Sequence, residues 1–163
     1  MAALKARGLT VEMLSGDVEG AVAQVARAVG IDTWRSACTP QEKATRIDAL
    51  AAEGRRVLMV GDGLNDAGAL AKAHAAMAPG TALEASQNAA DLVFSGEGLA
   101  PVVDAVDVAR SAKARAVENF GLAALYNAPA AILGLVNPFV AAIAMSGSSL
   151  IVTLNALRTG ARR

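Results

Sequence analysis

Cysteine, histidine and aromatic side chains are scarce in this chain of 163 residues. Cys38 is the only cysteine, His74 is the only histidine, and aromatic residues make up 3% of the sequence. A single cysteine excludes an internal disulfide and any Cys-x-x-Cys redox or metal motif. Fifteen Lys and Arg balance fifteen Asp and Glu. We therefore expect no nucleic-acid partner, because no excess of positive charge would attract one.

Charge is missing altogether from two stretches near the carboxyl end. Residues 120–136 and 139–157 contain no Asp, Glu, Lys or Arg, and they are separated by Asn137 and Pro138, a turn signal. Each stretch approaches the ~20 residues that a helix needs to cross a bilayer. We predict a transmembrane hairpin with helices at about 117–136 and 139–157, in contact with membrane lipid. A buried helical pair in a soluble protein is the alternative.

The charged residues around these stretches predict the orientation of the hairpin. Basic residues precede the first stretch and follow the second, at Lys113, Arg115, Arg158, Arg162 and Arg163. By the positive-inside rule, both ends of the hairpin then face the cytoplasm. This divides the chain into a cytoplasmic domain, residues 1–115, and a membrane part with a short basic tail, residues 116–163.

The cytoplasmic part alternates short apolar runs with helical stretches. The sequence predicts strands over 9–14, 56–60, 75–77 and 91–94. It predicts helices over 18–29 and 40–53, a third from about residue 65 and a long one from about residue 99. Such alternation is typical of βα units that build a parallel sheet. The predicted fold class is α/β.

Polar clusters follow the first strand and open the second helix. Ser15, Gly16 and Asp17 can hold a phosphoryl oxygen through a hydroxyl and free backbone N–H groups, although Ser-Gly-Asp is also ordinary turn chemistry. Thr39 fits an N-cap and is followed by Pro40 at the first helical position. Lys43 opposes the helix dipole there, which a bound anion would explain; a solvated surface lysine is the alternative.

The sequence Gly-Asp-Gly-Leu-Asn-Asp, residues 61–66, is the most specific motif. Gly61 and Gly63 allow the backbone to approach a ligand closely, and Asp62 and Asp66 supply the hard oxygen ligands that Mg²⁺ prefers. The acids do not alternate as in an EF-hand, and no Gly-Lys-Ser/Thr marks a P-loop. The motif predicts a magnesium and phosphate site at the carboxyl end of a strand.

In this order and at this spacing, the three clusters resemble motifs two, three and four of the haloacid dehalogenase superfamily. More narrowly, "MLSGD", "PQEK", "MVGDGLNDAGALAKAH" and "AADLVF" resemble the second half of the phosphorylation domain of P-type ATPases. Tyr126-Asn127 and "MSGSS" at 145–149 resemble the last two membrane helices of the copper-transporting, heavy-metal class. "AHAAMAP", "AMSGSSL" and "NALR" are similar to the bacterial copper pumps of cytochrome oxidase assembly.

The resemblance implies an ATP-driven pump that exports Cu⁺ from the cytoplasm and uses Mg²⁺ and ATP, in the bacterial inner membrane. It implies that Asp62 binds Mg²⁺ and that Asn65 and Asp66 orient the waters of the ion and the loop. Ser15 and Lys43 would hold phosphoryl oxygens, and Asp17 would either join this site or cap the following helix. Five membrane residues would line the copper pathway, with helix packing as the alternative: Tyr126, Asn127, Met145, Ser148 and Ser149.

The chain also departs from the family pattern. None of its eight aspartates lies in the D-K-T-G-T context of the phosphorylated residue, and no C-P-C metal motif is present. Gly68 stands where the family usually has proline. We interpret the chain as a C-terminal fragment that is inactive alone, whose partners would be the missing N-terminal part of the pump and a copper chaperone. A membrane-anchored phosphatase of the same superfamily, or a non-catalytic subunit of a full-length pump, are the alternatives.

Overall fold

The structure, a computed structural model, describes residues 1–62, 64–96, 98–133 and 138–157. Within these ranges the side chains of residues 64, 126–133, 138–142, 144 and 145 are not described. The chain forms two compact units, residues 1–103 and 104–163. The predicted boundary between residues 115 and 116 stays a prediction, and the predicted Asn137 turn lies outside the described residues.

Short helices and strands alternate along the first unit. The helices are α1 (Ala2–Ala6), α2 (Glu19–Val29), α3 (Pro40–Ala52), α4 (Ala67–Leu70) and α5 (Glu84–Ala89). The strands are β1 (Glu12–Leu14), β2 (Thr33–Arg35), β3 (Leu58–Val60), β4 (Ala75–Pro79) and β5 (Leu92–Phe94). A 3₁₀ turn, Leu64–Asp66, leads into α4, and two long helices follow, α6 (Ala100–Leu133) and α7 (Pro138–Leu157).

Every strand pairs in parallel, but the strands form two sheets. One sheet has the order β1-β2, with Met13 opposite Trp34, and the other has the order β3-β4-β5. Central β4 is the most buried strand, because it has a neighbour on both sides and small side chains that admit helices on its faces. These parallel sheets with flanking helices confirm the predicted α/β class.

The helices of this unit form for local reasons that the sequence shows. One face of α2 is buried through Val22, Ala23 and Ala26, and the helix ends at Gly30, whose φ of 73° is the left-handed conformation that glycine adopts readily. Helix α3 begins at Pro40 behind the N-cap Thr39, as predicted, and buries Ala44 and Ile47. Apolar burial thus fixes which face of each helix turns inward.

Several predicted boundaries were wrong, and three elements were not predicted. Strand β1 covers residues 12–14 rather than 9–14, and the helix expected from Asn65 is a 3₁₀ turn followed by a single turn of α4. Strand β2 was missed because Thr-Trp-Arg has one apolar residue and pairs only through β1. Helices α1 and α5 were missed because each has six residues or fewer, too few to show a helical repeat.

In the second unit, polar side chains join α6 and α7. Asn155 Nδ2 in α7 donates to Asn119 Oδ1 in α6 at 2.8 Å. Within α6, Arg115 pairs with Glu118 at 2.6 Å. Over the ranges that the structure describes, no helix combines the length and the apolar character needed to cross a membrane. The structure therefore does not support the predicted transmembrane hairpin.

Candidate functional site

The Ser15 cluster forms a closed turn after β1. The hydroxyl of Ser15 donates to Asp17 Oδ2 at 2.9 Å, and the backbone N–H of Asp17 donates to Ser15 Oγ at 3.2 Å. Val18, rather than Asp17, is the N-cap of α2, and no side chain caps that helix. Of the two roles predicted for Asp17, the helix cap is therefore wrong, and Asp17 instead holds the hydroxyl of Ser15.

Backbone hydrogen bonds connect this turn to the start of α3. Ser15 N–H donates to the carbonyl of Arg35 at 3.0 Å, and Cys38 N–H donates to the carbonyl of Ser15 at 2.9 Å. Gly16 lies against the same segment, since a Cβ at this position would be 3.4 Å from the carbonyl oxygen of Cys38. The segment leads directly to Thr39, so the Ser15 turn and the N-terminus of α3 are positioned together.

A capping box fixes the first turn of α3. Thr39 donates its N–H to Glu42 Oε2 at 2.7 Å and its hydroxyl to the same oxygen at 2.8 Å, while Glu42 N–H donates to Thr39 Oγ1 at 3.2 Å. The hydrogen bonds from the backbone and the hydroxyl of Thr39 lower the pKa of Glu42. Lys43 follows immediately, at the end of this well-defined turn.

Lys43 forms an ion pair with Asp66, across 23 residues of sequence. The distance from Lys43 Nζ to Asp66 Oδ1 is 2.7 Å, and the two side chains are 12% and 11% exposed. Removing one partner of a buried pair costs about 3–5 kcal/mol, because the other charge is left without compensation. The sequence placed both residues at one site in separate roles, whereas the structure joins them directly.

Gly61 makes room for the carboxylate of Asp66. A Cβ at Gly61 would lie 2.8 Å from Asp66 Cβ and 3.0 Å from Asp66 Oδ2. Its N–H donates to the carbonyl of Met77 at 3.2 Å, which continues the pairing of β3 with β4. Because glycine has no side chain, Asp66 can pack directly against Gly61, a contact that the sequence alone did not reveal.

Asp62 and Asn65 are exposed, and in the described part of the chain neither side chain has a hydrogen-bond or ion-pair partner. The carbonyl of Asp62 accepts from Leu83 N–H at 3.3 Å, which fixes the loop. Gly63 lies outside the described residues. Among those that are described, no three His, Cys, Asp or Glu side chains gather to hold a metal. Mg²⁺ is commonly bound by one or two carboxylates together with substrate phosphates, so Asp62 fits a magnesium site completed by a phosphoryl group.

A second polar cluster, which the sequence did not indicate, lies one turn further along α3. Arg46 donates to both carboxylate oxygens of Glu12 in β1, at 2.9–3.2 Å, and these hydrogen bonds raise the pKa of Arg46. Arg35 Nε is 3.7 Å from Glu12 Oε1. Next to this cluster is an open cavity of about 440 Å³, whose lining includes Leu14 and Cys38.

The residues predicted to line a copper pathway are only partly described. Tyr126 and Asn127 belong to α6 and Met145 to α7, but their side chains lie outside the described residues. Ser148 is half-buried and lines an apolar cavity of about 170 Å³. Ser149 is exposed, and its carbonyl accepts the hydroxyl of Thr153 at 2.8 Å. Their predicted roles stay predictions.

Comparisons with known proteins confirm the resemblance to P-type ATPases that the motifs indicate. Residues 1–74 match the haloacid dehalogenase-like hydrolase family. The nitrogen fixation protein FixI of Bradyrhizobium diazoefficiens is 53% identical over 161 residues, which cover 97% of this chain and 22% of that protein. The copper-exporting P-type ATPase of Staphylococcus aureus (strain MRSA252) is 41% identical over 154 residues, which cover 93% of this chain and 19% of that protein.

Solved structures give the same relationship. A zinc-transporting PIB-type ATPase in the E2.Pi state superposes with a TM-score of 0.86 at 28% identity, over 97% of this chain and 26% of the other. The catalytic domain of the CPx-ATPase CopB-B is 40% identical with a TM-score of 0.54, over 55% of this chain and 36% of the other. This chain therefore spans about a fifth of the length of the curated relatives that it matches.

Proposed function

Since the chain is homologous over nearly its whole length to one part of the P-type ATPases, we propose that it supplies the magnesium and phosphate site of such an ATPase. The observation that carries this proposal is the ion pair between Lys43 and Asp66. It places the positively charged ammonium group of Lys43 beside Asp66, in the Gly-Asp-Gly-Leu-Asn-Asp loop that also contains the exposed Asp62. Phosphoryl transfer depends on positioned positive charge around the phosphoryl oxygens, and this arrangement supplies it.

Each residue of the site has a chemical role in this proposal. Lys43 acts as a point charge towards a phosphoryl oxygen, and Asp66 fixes the direction of its ammonium group. Asp62 holds Mg²⁺, which when bound neutralises charge on the phosphoryl group, and Asn65 orients water beside it. The Ser15 hydroxyl, now held by Asp17, turns to donate to a phosphoryl oxygen. Gly16 presents its backbone N–H group to the phosphoryl group.

We further propose that the transported ion is Cu⁺ and that ATP drives its export. The copper-exporting relative is more similar in sequence, at 41% identity, than the zinc-transporting structure, at 28%. The thioether of Met145 is a soft ligand that suits Cu(I). Tyr126, Asn127, Ser148 and Ser149 complete the proposed pathway.

The attachment to a membrane is part of the same proposal. This part rests on the sequence, in which residues 139–157 carry no charged side chain, and it places a hairpin in the bacterial inner membrane with a cytoplasmic catalytic part. The partner would be the remaining part of the pump, because this sequence has no D-K-T-G-T aspartate to accept the phosphoryl group. A copper chaperone would deliver the ion to the assembled pump.

Phosphorylation by ATP tests the proposal. The chain incubated alone with Mg²⁺ and ATP should form no acid-stable phosphoenzyme, since positioned charge accelerates transfer only when an acceptor is in line. Coexpression with the preceding part of the Bradyrhizobium relative should produce one, and Asp62→Asn should abolish it. Asp32→Asn is the matched control, because Asp32 forms an exposed pair with Lys5 away from the site. A phosphorylated aspartate on the chain alone would contradict the proposal.

A further inference from the structure

Two ion pairs link neighbouring turns of α3 to strand β1 of one sheet and to the 3₁₀ turn that follows strand β3 of the other. Lys43 reaches Asp66, in the loop after β3, and Arg46 reaches Glu12, in β1. Strands β1 and β3 have no backbone pairing with each other, since they belong to separate sheets. Lys43 and Arg46 are three residues apart and so lie next to each other on one face of the helix. Helix α3 thus connects the two sheets through polar contacts.

The contact between Arg46 and Glu12 is geometrically demanding. Arg46 Nε lies 3.1 Å and 3.2 Å from the two oxygens of Glu12, and Nη2 lies 2.9 Å from Oε2. The side chains are 24% and 16% exposed, so solvent screens the pair only in part. A forked, charge-assisted contact fixes an angle as well as a distance, because the guanidinium and the carboxylate are both planar.

The apolar contacts of α3 do not provide the same constraint. Ala44 and Ile47 are buried, but the burial of apolar surface is non-directional and does not by itself direct a polar group at a particular atom. The ammonium of Lys43 must lie within hydrogen-bond distance of one oxygen of Asp66, and it sits at the end of a flexible four-carbon chain. A rotation of α3 larger than this chain can follow would move the ammonium away from Asp66.

We infer that Glu12 and Arg46 are positioning residues for Lys43. Their fork sets the rotation of α3 on β1 and thereby directs the Lys43 ammonium towards Asp66 and the phosphoryl group. The part of this inference that concerns phosphate rests on the proposed function. The part that concerns the contact between Lys43 and Asp66 does not.

The side-chain ammonium signals of lysine test this inference. The chain has four lysines, at positions 5, 43, 72 and 113, so that ¹⁵N-labelled lysine gives few signals, and Lys43→Arg identifies the relevant one. In the full chain, the ammonium hydrogens of Lys43 should exchange slowly, because the group is largely buried and hydrogen-bonded. Arg46→Lys keeps the charge but loses the fork, and we expect it to abolish this protected signal. Glu12→Gln should do the same.

Two comparisons keep the test decisive. Asp32→Asn should alter the signal of Lys5 alone, and it controls for the general effect of losing a surface ion pair. The Arg46→Gln variant separates the effect of geometry from that of charge. If the Lys43 signal is unchanged in Arg46→Lys but shifted in Arg46→Gln, the charge of Arg46 acts on Lys43 through space. That result, or a native Lys43 signal in both Arg46→Lys and Glu12→Gln, overturns the inference. The backbone amide spectrum of each variant establishes that it is folded.

Binding of inorganic phosphate in the presence of Mg²⁺ gives the second readout. The Arg46→Lys variant should bind phosphate about tenfold more weakly than the wild-type chain, because the ammonium group of Lys43 is no longer directed at the site. A tenfold change in affinity corresponds to about 1.4 kcal/mol. If the wild-type chain binds no phosphate while the lysine signals behave as expected, the proposed phosphate site fails and the positioning of Lys43 stands. If phosphate binding is equal in both chains, Arg46 does not position Lys43 for the anion.

Discussion

At Gly61, a single hydrogen atom in place of a side chain determines whether Asp66 can occupy its buried position. The Cβ of any other residue would lie within 2.8–3.1 Å of three atoms of Asp66, closer than non-bonded carbon atoms normally approach. Asp66 is 8% exposed and forms an ion pair with Lys43. A displacement of Asp66 would therefore also weaken the contact that directs the lysine.

We expect Gly61→Ala to destabilise the chain by about 1–3 kcal/mol, the usual cost of overpacking a close contact. Urea unfolding measured by the fluorescence of Trp34, the sole tryptophan, gives the value. Gly68→Ala in α4 is the matched control, because a Cβ at Gly68 would have no atom within 4 Å. It should be neutral or stabilise the chain by up to about 1 kcal/mol, since alanine favours a helix over glycine. Equal effects at both positions would refute the packing role of Gly61.

At the scale of single elements, the start of α3 is visible in the sequence, whereas the ion pairs that its side chains form are not. Thr39 followed by Pro40, with Glu42 three residues after the threonine, is a local pattern for a helix start, and the structure has the capping box there. The contacts of Lys43 and Arg46 span 23 and 34 residues. No local pattern encodes such contacts, because they depend on how the helix lies on both sheets.

The same distinction explains the other differences between prediction and structure. The parallel arrangement and the positions of β3, β4 and β5 followed from apolar runs punctuated by glycine and polar residues, which are local signals. The pairing of β2 with β1 and the packing of Gly61 against Asp66 are non-local. The resemblance to the haloacid dehalogenase superfamily predicts one site for the three polar clusters, but it does not predict the hydrogen bonds that the structure shows within them.

The pH dependence of stability provides a test of the capping box. Because hydrogen bonds from Thr39 lower the pKa of Glu42, this carboxylate stabilises the folded chain at pH values above its unfolded-state pKa. The contribution is lost as the pH falls through the lowered, folded-state pKa. We expect Thr39→Val to cost about 1 kcal/mol at neutral pH, and to cost less in acid, where Glu42 is protonated.

The control for this test lies on the same helix. Thr45→Val makes the identical change, but the Thr45 hydroxyl donates to the carbonyl of Gln41 at 2.9 Å and does not bind Glu42. Its effect on the urea midpoint should be smaller and should not depend on the titration of Glu42. A Thr39→Val effect that is the same at neutral pH and in acid would argue against the Glu42 carboxylate as the stabilising partner.

At the scale of the whole molecule, the catalytic and transport parts of the proposal depend on different units. The residues of the proposed phosphate site lie within 1–103, whereas the proposed copper residues all lie within 104–163. The chain corresponds to about a fifth of its curated relatives, so that the proposed transport is testable only in an assembled pump. Copper dependence and phosphorylation can then be affected separately by substitutions in the two units.

In a pump assembled from this chain and the preceding part of the Bradyrhizobium relative, Met145→Leu should strongly reduce the copper stimulation of phosphoenzyme formation. The substitution keeps volume and apolar character but removes the sulfur, the soft donor that suits Cu(I). If Met145 only packs between helices, the change should be nearly silent, since volume-conserving swaps usually cost less than about 1.5 kcal/mol. Met77→Leu is the matched control, because Met77 is buried in β4 of the first unit and should leave the copper response unchanged. A wild-type copper titration for Met145→Leu would assign Met145 to packing, and a reduced response in Ser149→Ala alone would assign the proposed copper contact to Ser149, one turn further along α7.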